Sequence, residues 1–159
     1  MNRIVTFSTV IVFQIFTAGC TKSNNASELG MLKMQHAKEQ QAHLANNVSL
    51  FKDIFDDTLC QTKNGEVSYL TREQVIGRFE NYFTSVEFVK WEDVKEPVYT
   101  LSADATLAHI LVQKHVELID KNDSTRAIQK TDFAWAELWK KINGQWKLYS
   151  ITSTDKIDK

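Results

Sequence analysis

The chain has 159 residues, of which 43% are hydrophobic, 25% charged and 11% aromatic, with one Pro and five Gly. That composition belongs to a folded globular domain and excludes a collagenous, low-complexity or wholly disordered chain. Nineteen basic residues against twenty acidic ones give a formal charge of −1, so nothing in the overall charge favours nucleic acid as a partner.

The N-terminus reads as an address. Met1-Asn2-Arg3 carries one positive charge, Ile4 to Phe16 is mostly apolar, and Thr17-Ala18-Gly19 precede Cys20. This is the basic, apolar, small-residue order of an export signal. Its apolar run is shorter than the ~20 residues that cross a bilayer as a helix. Ala18-Gly19-Cys20 resembles the end of a bacterial lipoprotein signal peptide, here residues 1–19. The resemblance implies that Cys20 becomes the lipid-bearing N-terminus and holds the protein on a membrane. The expected location is the bacterial cell envelope, at the outer membrane in a Gram-negative cell, since no acid follows Cys20 directly. Ordinary periplasmic export or secretion is the alternative. Residues 20–30 are expected to be a flexible tether, because Thr21 to Ser27 is small and polar. Only Cys60 then remains, so no internal disulfide framework is expected. Cys60 reads as a small buried hydrophobe.

The folded domain is expected over residues 31–155, with a frayed tail at 156–159. Leu44, Val48, Phe51 and Phe55 recur at helical spacing. They predict one helix running to Asp56-Asp57, with Lys38, Glu39, Gln40 and Asn46 largely off its apolar stripe. Asn64-Gly65 marks a turn and Glu66 to Leu70 a short strand. Thr71-Arg-Glu-Gln74 matches a capping box, heading a helix with Val75, Phe79, Tyr82 and Phe83 on its apolar face. After Thr84 the period falls to two. Val86–Trp91, Val94–Leu101, Leu107–Ile119, Ala127–Ile142 and Gln145–Thr154 read as strands, with Pro97 at an edge or bend. Asn143-Gly144 predicts a two-residue type I′ hairpin turn. Its register would pair Trp139 with Leu148, Glu137 with Ser150 and Trp135 with Thr152. Phe133, Trp135, Glu137, Trp139, Leu148, Ser150 and Thr152 would then share one face. Ala134, Ala136, Leu138, Lys147, Tyr149 and Ile151 would share the other. Both faces are substantially apolar, which predicts either strong curvature or a second covering such as a subunit.

Helices followed by long antiparallel strands and an aromatic closing hairpin define an α+β fold. Three segments resemble the NTF2-like, SnoaL-like superfamily. They are Asn64-Gly-Glu-Val-Ser-Tyr-Leu-Thr-Arg-Glu-Gln-Val-Ile-Gly-Arg-Phe79, Phe133-Ala-Trp135, and Trp139-Lys-Lys-Ile-Asn-Gly-Gln-Trp146 with Ile151-Thr-Ser-Thr154. The His43-Leu44 helix resembles the first helix of its DUF4440 and related branches. The resemblance implies a cone, with N-terminal helices packed in a strongly curved sheet, a pocket at the wide end, and a homodimer through the outer face. Phe51, Phe55, Phe79, Tyr82, His109, Trp135, Trp139 and Ser150 are the expected pocket lining.

Chemistry is less marked. His36 and His43 lie about 10 Å apart along one helix, and His109 and His115 about 20 Å apart along one strand. Neither pair can share one metal ion, and no metal or cofactor is expected. The isolated glycines build no phosphate loop. Glu137 lies between Trp135 and Trp139, where burial would raise a carboxyl pKa. Glu137, His43 and Asp132 are the candidate acid/base residues. No isomerase set maps onto the chain residue by residue. The expected function is a binding module for a small apolar molecule in the cone or a partner on the sheet. The alternatives are an isomerase- or cyclase-like enzyme and a structural envelope dimer.

Overall fold

The computed structural model describes residues 25–157; Cys20 and the expected signal peptide lie outside the described residues. The elements run α1 (Asn25–Leu44), a one-turn 3₁₀ helix (Val48–Phe51), β1 (Phe55–Lys63), β2 (Glu66–Thr71), α2 (Arg72–Ser85), β3 (Val86–Asp93), β4 (Val98–Leu101), β5 (Leu107–Asp120), β6 (Ile128–Ile142) and β7 (Gln145–Ile157). The strands form one curled sheet in the order β2-β1-β7-β6-β5-β3, with β4 also paired to β5. Every pairing is antiparallel except β1 with β7. The two helices cover the inner face, giving an α+β cone.

Strand alternation sets the two faces of the sheet. On β5, Ala108, Ile110, Val112, Lys114 and Val116 are buried, while Leu107, His109, Leu111 and Gln113 are exposed. Ala108, Ile110 and Val112 pack with Leu32 and Ala42 of α1, Val75 and Phe83 of α2, and Trp139 and Leu148 of the closing hairpin. Full burial of each large side chain contributes about 1.5–3 kcal/mol. Among the described residues no helix is long and apolar enough to cross a membrane.

Local chemistry places many boundaries. The Thr71 hydroxyl accepts from Gln74 N–H while the Gln74 side chain accepts from Thr71 N–H, so the capping box starts α2. Asn64-Gly65 and Asn143-Gly144 all have positive φ, between 50° and 80°, as type I′ hairpin turns require. β4 is shorter than expected. A bend at Val94 and Lys95 interrupts the expected strand, and Pro97 offers no N–H for a ladder.

Three expectations are corrected. The first helix does not run to Asp56. It ends at Leu44, where Asn46 takes a left-handed φ of 47° and Asn47 caps the 3₁₀ turn. Phe55 opens β1, and Asp56-Asp57 lie within that strand, because pairing with β7 and β2 overrides the local helical spacing. Residues 25–30, expected within the tether, are helical, and buried Glu28 is tied to Lys141 Nζ; at the other end β7 extends to Ile157. The hairpin register holds at Ile142–Gln145 and Trp139–Leu148, then slips by one at a β-bulge. Glu137 faces Ile151, Leu138 faces Ser150 and Trp135 faces Ser153. The extra residue reverses the side-chain directions of β7 beyond it.

Candidate functional site

α1 buries an unusual stripe. Glu28, Leu32, His36, Glu39 and Ala42 are its buried positions, spaced by three or four and therefore on one face. Most of that face is ionisable. On β6, Phe133, Trp135, Glu137 and Trp139 share the inner face, and Glu137 meets the stripe at His36 and Glu39.

Above this contact lies a cavity of about 470 Å³ between the helices and the inner face of the sheet. Aromatic rings dominate its walls: Phe51, Phe55, Phe79, Tyr82, Phe88, Trp91, Phe133 and Trp135. His43 belongs to the same wall. It stacks on Trp91 at 4.2 Å between ring centroids and meets Phe51, Phe79, Phe83 and Phe88 edge-on. Its Nδ1–H donates to the Glu39 carbonyl at 2.7 Å. Burial holds the imidazole down to about pKa 4, so at neutral pH it is an uncharged ring of the cage.

Glu39 is the carboxyl on the cavity wall, and beneath it sits Glu137, which has no exposed surface. Glu137 accepts from the Trp135 and Trp139 indole N–H groups at 2.5 and 2.7 Å. Its Oε1 lies 3.8 Å from His36 Nε2, and His36 Nδ1 is 2.8 Å from the Tyr99 hydroxyl. Lys114, 2% exposed, pairs with Asp93 at 2.7 Å and stands 4.4 Å over the Trp91 ring. Glu39 Oε1 is buried with no hydrogen-bond partner among the described residues.

These surroundings set the protonation states. Burial pushes Glu39 well above the carboxylate range, and the adjoining Glu137 charge adds to the rise. Burial raises Glu137 to about 7, although the two indoles and Glu39 bond to its charged form. Two carboxyls this close cannot both ionise cheaply, and Glu39 holds the proton. Burial, then the Lys114 charge, holds His36 down to about 4. Burial, then Asp93 and the neighbouring carboxylates, lifts Tyr99 to about 12.

Of the expected lining, Phe51, Phe55, Phe79, Tyr82 and Trp135 are on the cavity wall. Trp139 is not; it lies fully buried below, as a donor to Glu137. His109 is exposed on the outer face of β5. The bulge turns Ser150 outward, opposite Leu138, and brings Ile151 to the cavity. Asp132 also faces outward, bonded to His115 Nδ1 at 2.7 Å, because the inward position belongs to Phe133. Of the acid/base candidates, His43 lines the cavity, Glu137 supports it from beneath, and Asp132 lies on the other side of the sheet. Cys60 is half-buried in β1 rather than in the core. Glu39, Tyr99 and Lys114 escape the sequence reading. The spacing of His36, Glu39 and His43 by three and four was the available signal for the first.

No protein-family model matches the chain, and no curated protein matches it in sequence. Solved structures match the fold. An NTF2-like superfamily protein from Salmonella enterica has a TM-score of 0.70 at 11% identity, covering 84% of this chain and 94% of its own. A conserved protein from Planctomyces limnophilus has a TM-score of 0.69 at 12% identity, covering 83% and 99%. A ketosteroid isomerase-like protein from Erwinia carotovora atroseptica has a TM-score of 0.65 at 14% identity, covering 82% and 98%. The chain therefore has the NTF2-like cone fold.

The buried carboxyl pair fixes a sign for the pH dependence of stability. Folded Glu39 and Glu137 keep protons that the unfolded chain releases in the ordinary carboxyl range. Their contribution is complete below that range and is lost as pH rises, through about 7 for Glu137. His36 and His43 act oppositely: their contribution is lost as pH falls from 6.5 towards about 4. From pH ~6.5 to ~8.5 the carboxyl pair dominates, and the thermal midpoint is expected to fall. Glu39→Gln is expected to flatten that fall. His115, raised by Asp132 and then Glu117, adds the same slope to both proteins. Equal slopes in wild type and variant would contradict the assignment.

Proposed function

We propose that this chain is an envelope-anchored binding module that holds one small, flat, mostly apolar molecule in the aromatic cavity. The observation that carries the reading is the wall itself: eight aromatic side chains and His43 around about 470 Å³, with one proton-bearing carboxyl, Glu39. That volume suits a small molecule, and rings with one placed polar group are the usual chemistry of such sites. Flat rings stack favourably with a flat ligand. Neutral Glu39 can donate a hydrogen bond to a carbonyl-like acceptor. Lys63 and Arg78 also line the cavity and would favour a ligand with an anionic edge. Anilinonaphthalene sulfonate, which is flat, apolar and anionic, is expected to bind saturably to one site with a rise in fluorescence. Ile151→Trp should fill the cavity and weaken binding by about tenfold or more. Absence of saturable binding would remove this reading.

Glu39 and His43 on one wall also favour a second reading, an isomerase- or cyclase-like acid/base enzyme. Glu39 would act as the acid, with Glu137 setting its proton affinity. Any turnover found should follow an apparent pKa near 7, the range of the pair, and Glu39→Gln should abolish it. Turnover unchanged in that variant would exclude the role.

The envelope location rests on residues 1–20, and a homodimer on the outer face of the sheet. Val98 and Leu111 are exposed there and paired side by side, with Ala136 opposite Leu111. Cys20→Ser is expected to abolish incorporation of a palmitate analogue in a bacterial host. The acylated wild-type protein in detergent should sediment as a dimer. A label-free wild type, or a monomer at high micromolar concentration, would overturn the respective half.

A further inference from the structure

The cluster beneath the cavity has a chemistry that ligand binding does not use. His36, Glu39 and Glu137 each present one ligand atom, and these atoms lie within 4.8 Å of one another. We propose that they form a mononuclear site for a divalent first-row transition-metal ion, reached from the aromatic cavity past Glu39.

The donor set is one imidazole nitrogen and two carboxylates, a mixture that suits zinc or manganese. The charges match. Two carboxylates beside a neutral imidazole neutralise one divalent ion, whereas without it one carboxyl must hold a proton.

The supporting contacts are those of an oriented site. The Tyr99 hydroxyl, 2.8 Å from His36 Nδ1, can fix the tautomer that leaves the Nε2 lone pair facing the carboxylates. Metal-bound histidines are generally held this way. Both Glu137 oxygens accept an indole N–H and keep a further lone pair each. His36 Nε2 stands 3.8 Å from Glu137 Oε1. That is too long for a hydrogen bond, and ligand–metal bonds of about 2.0–2.2 Å would bridge it.

A separate observation points to a missing partner. Glu39, 6% exposed, has its Oε1 buried and unbonded among the described residues. Glu39 also lines the large cavity, and a second cavity of about 100 Å³ reaches His36 on the side of Tyr99 and Lys114. Three protein ligands would leave open positions for water or a cavity ligand. Lys114 is the opposing charge. Its pairing with Asp93 at 2.7 Å makes the two together neutral, so it moderates affinity without forbidding the ion.

The surface cluster on the outer face makes the contrast. His115 is bonded directly to Asp132 at 2.7 Å and to Glu117 at 3.2 Å. Its imidazole nitrogens are satisfied, and it serves as the control.

The test is calorimetric titration of the full-length protein, stripped with a chelator, with Zn²⁺ and separately with Mn²⁺. Two buffers of different ionisation enthalpy report proton release. One ion per chain is expected, with release of the proton shared by Glu39 and Glu137. Glu39→Gln should weaken binding by at least about tenfold, and Tyr99→Phe, which leaves every ligand in place, by about tenfold. His115→Ala should change nothing. If Glu39→Gln does not fold, as judged by circular dichroism, Tyr99→Phe and the proton release decide. No saturable uptake of either ion overturns the proposal. So does uptake that His115→Ala abolishes, or that neither Tyr99→Phe nor a folded Glu39→Gln weakens. The fluorescent-probe titration is run on stripped protein, so its failure and failure of the metal titration are separate results.

Discussion

The arrangement depends on a carboxyl group buried where water cannot reach it. Glu137 has no exposed surface, and an isolated charge there would be prohibitive. Three contacts make it tolerable: the two indole donors at positions 135 and 139 and the proton held by Glu39. The indoles reach it because residues two apart on a strand share a face. Glu39 reaches it because α1 lays its ionisable stripe on β6. The helix is therefore docked by polar complementarity as much as by apolar burial, and its place on the sheet is specified by groups that cannot be left unpaired.

That docking shapes the cavity. His43, one turn along α1 from Glu39, enters a ring of aromatic side chains from α2, β3 and the 3₁₀ turn. Large rigid rings meet at edges and tilted faces and leave space between the helices and the curled sheet. At the boundary between this apolar volume and the buried polar layer stands Glu39. Ligand selection, acid/base chemistry and metal binding would all act through that one carboxyl, because it lines the cavity and also adjoins buried Glu137.

Much of the frame was legible locally. The Thr71 capping box, the two Asn-Gly turns and the alternation of β5 and β6 each act within a few residues. Their physics is complete in the sequence window that contains them. The end of α1 was misread because Leu44, Val48, Phe51 and Phe55 keep helical spacing across a break made by Asn46 and Asn47. The closing hairpin was legible up to its bulge, which no local residue announces. One extra residue on β7 was enough to exchange Ser150 for Ile151 at the cavity.

By itself the sequence determined the α+β class, the caps, the turns and which residues of β6 share a face, since these follow from backbone geometry and nearest-neighbour hydrogen bonding. It also placed Glu137 between two tryptophans. Only the tertiary structure decided that β1 lies parallel to β7 and that Asp132 and His109 face outward. It alone joined Glu39, nearly a hundred residues away in sequence, to Glu137. The reason is that a buried ionisable group is defined by what covers it. A glutamate on an amphipathic-looking helix reads as solvated until the strand that desolvates it is known.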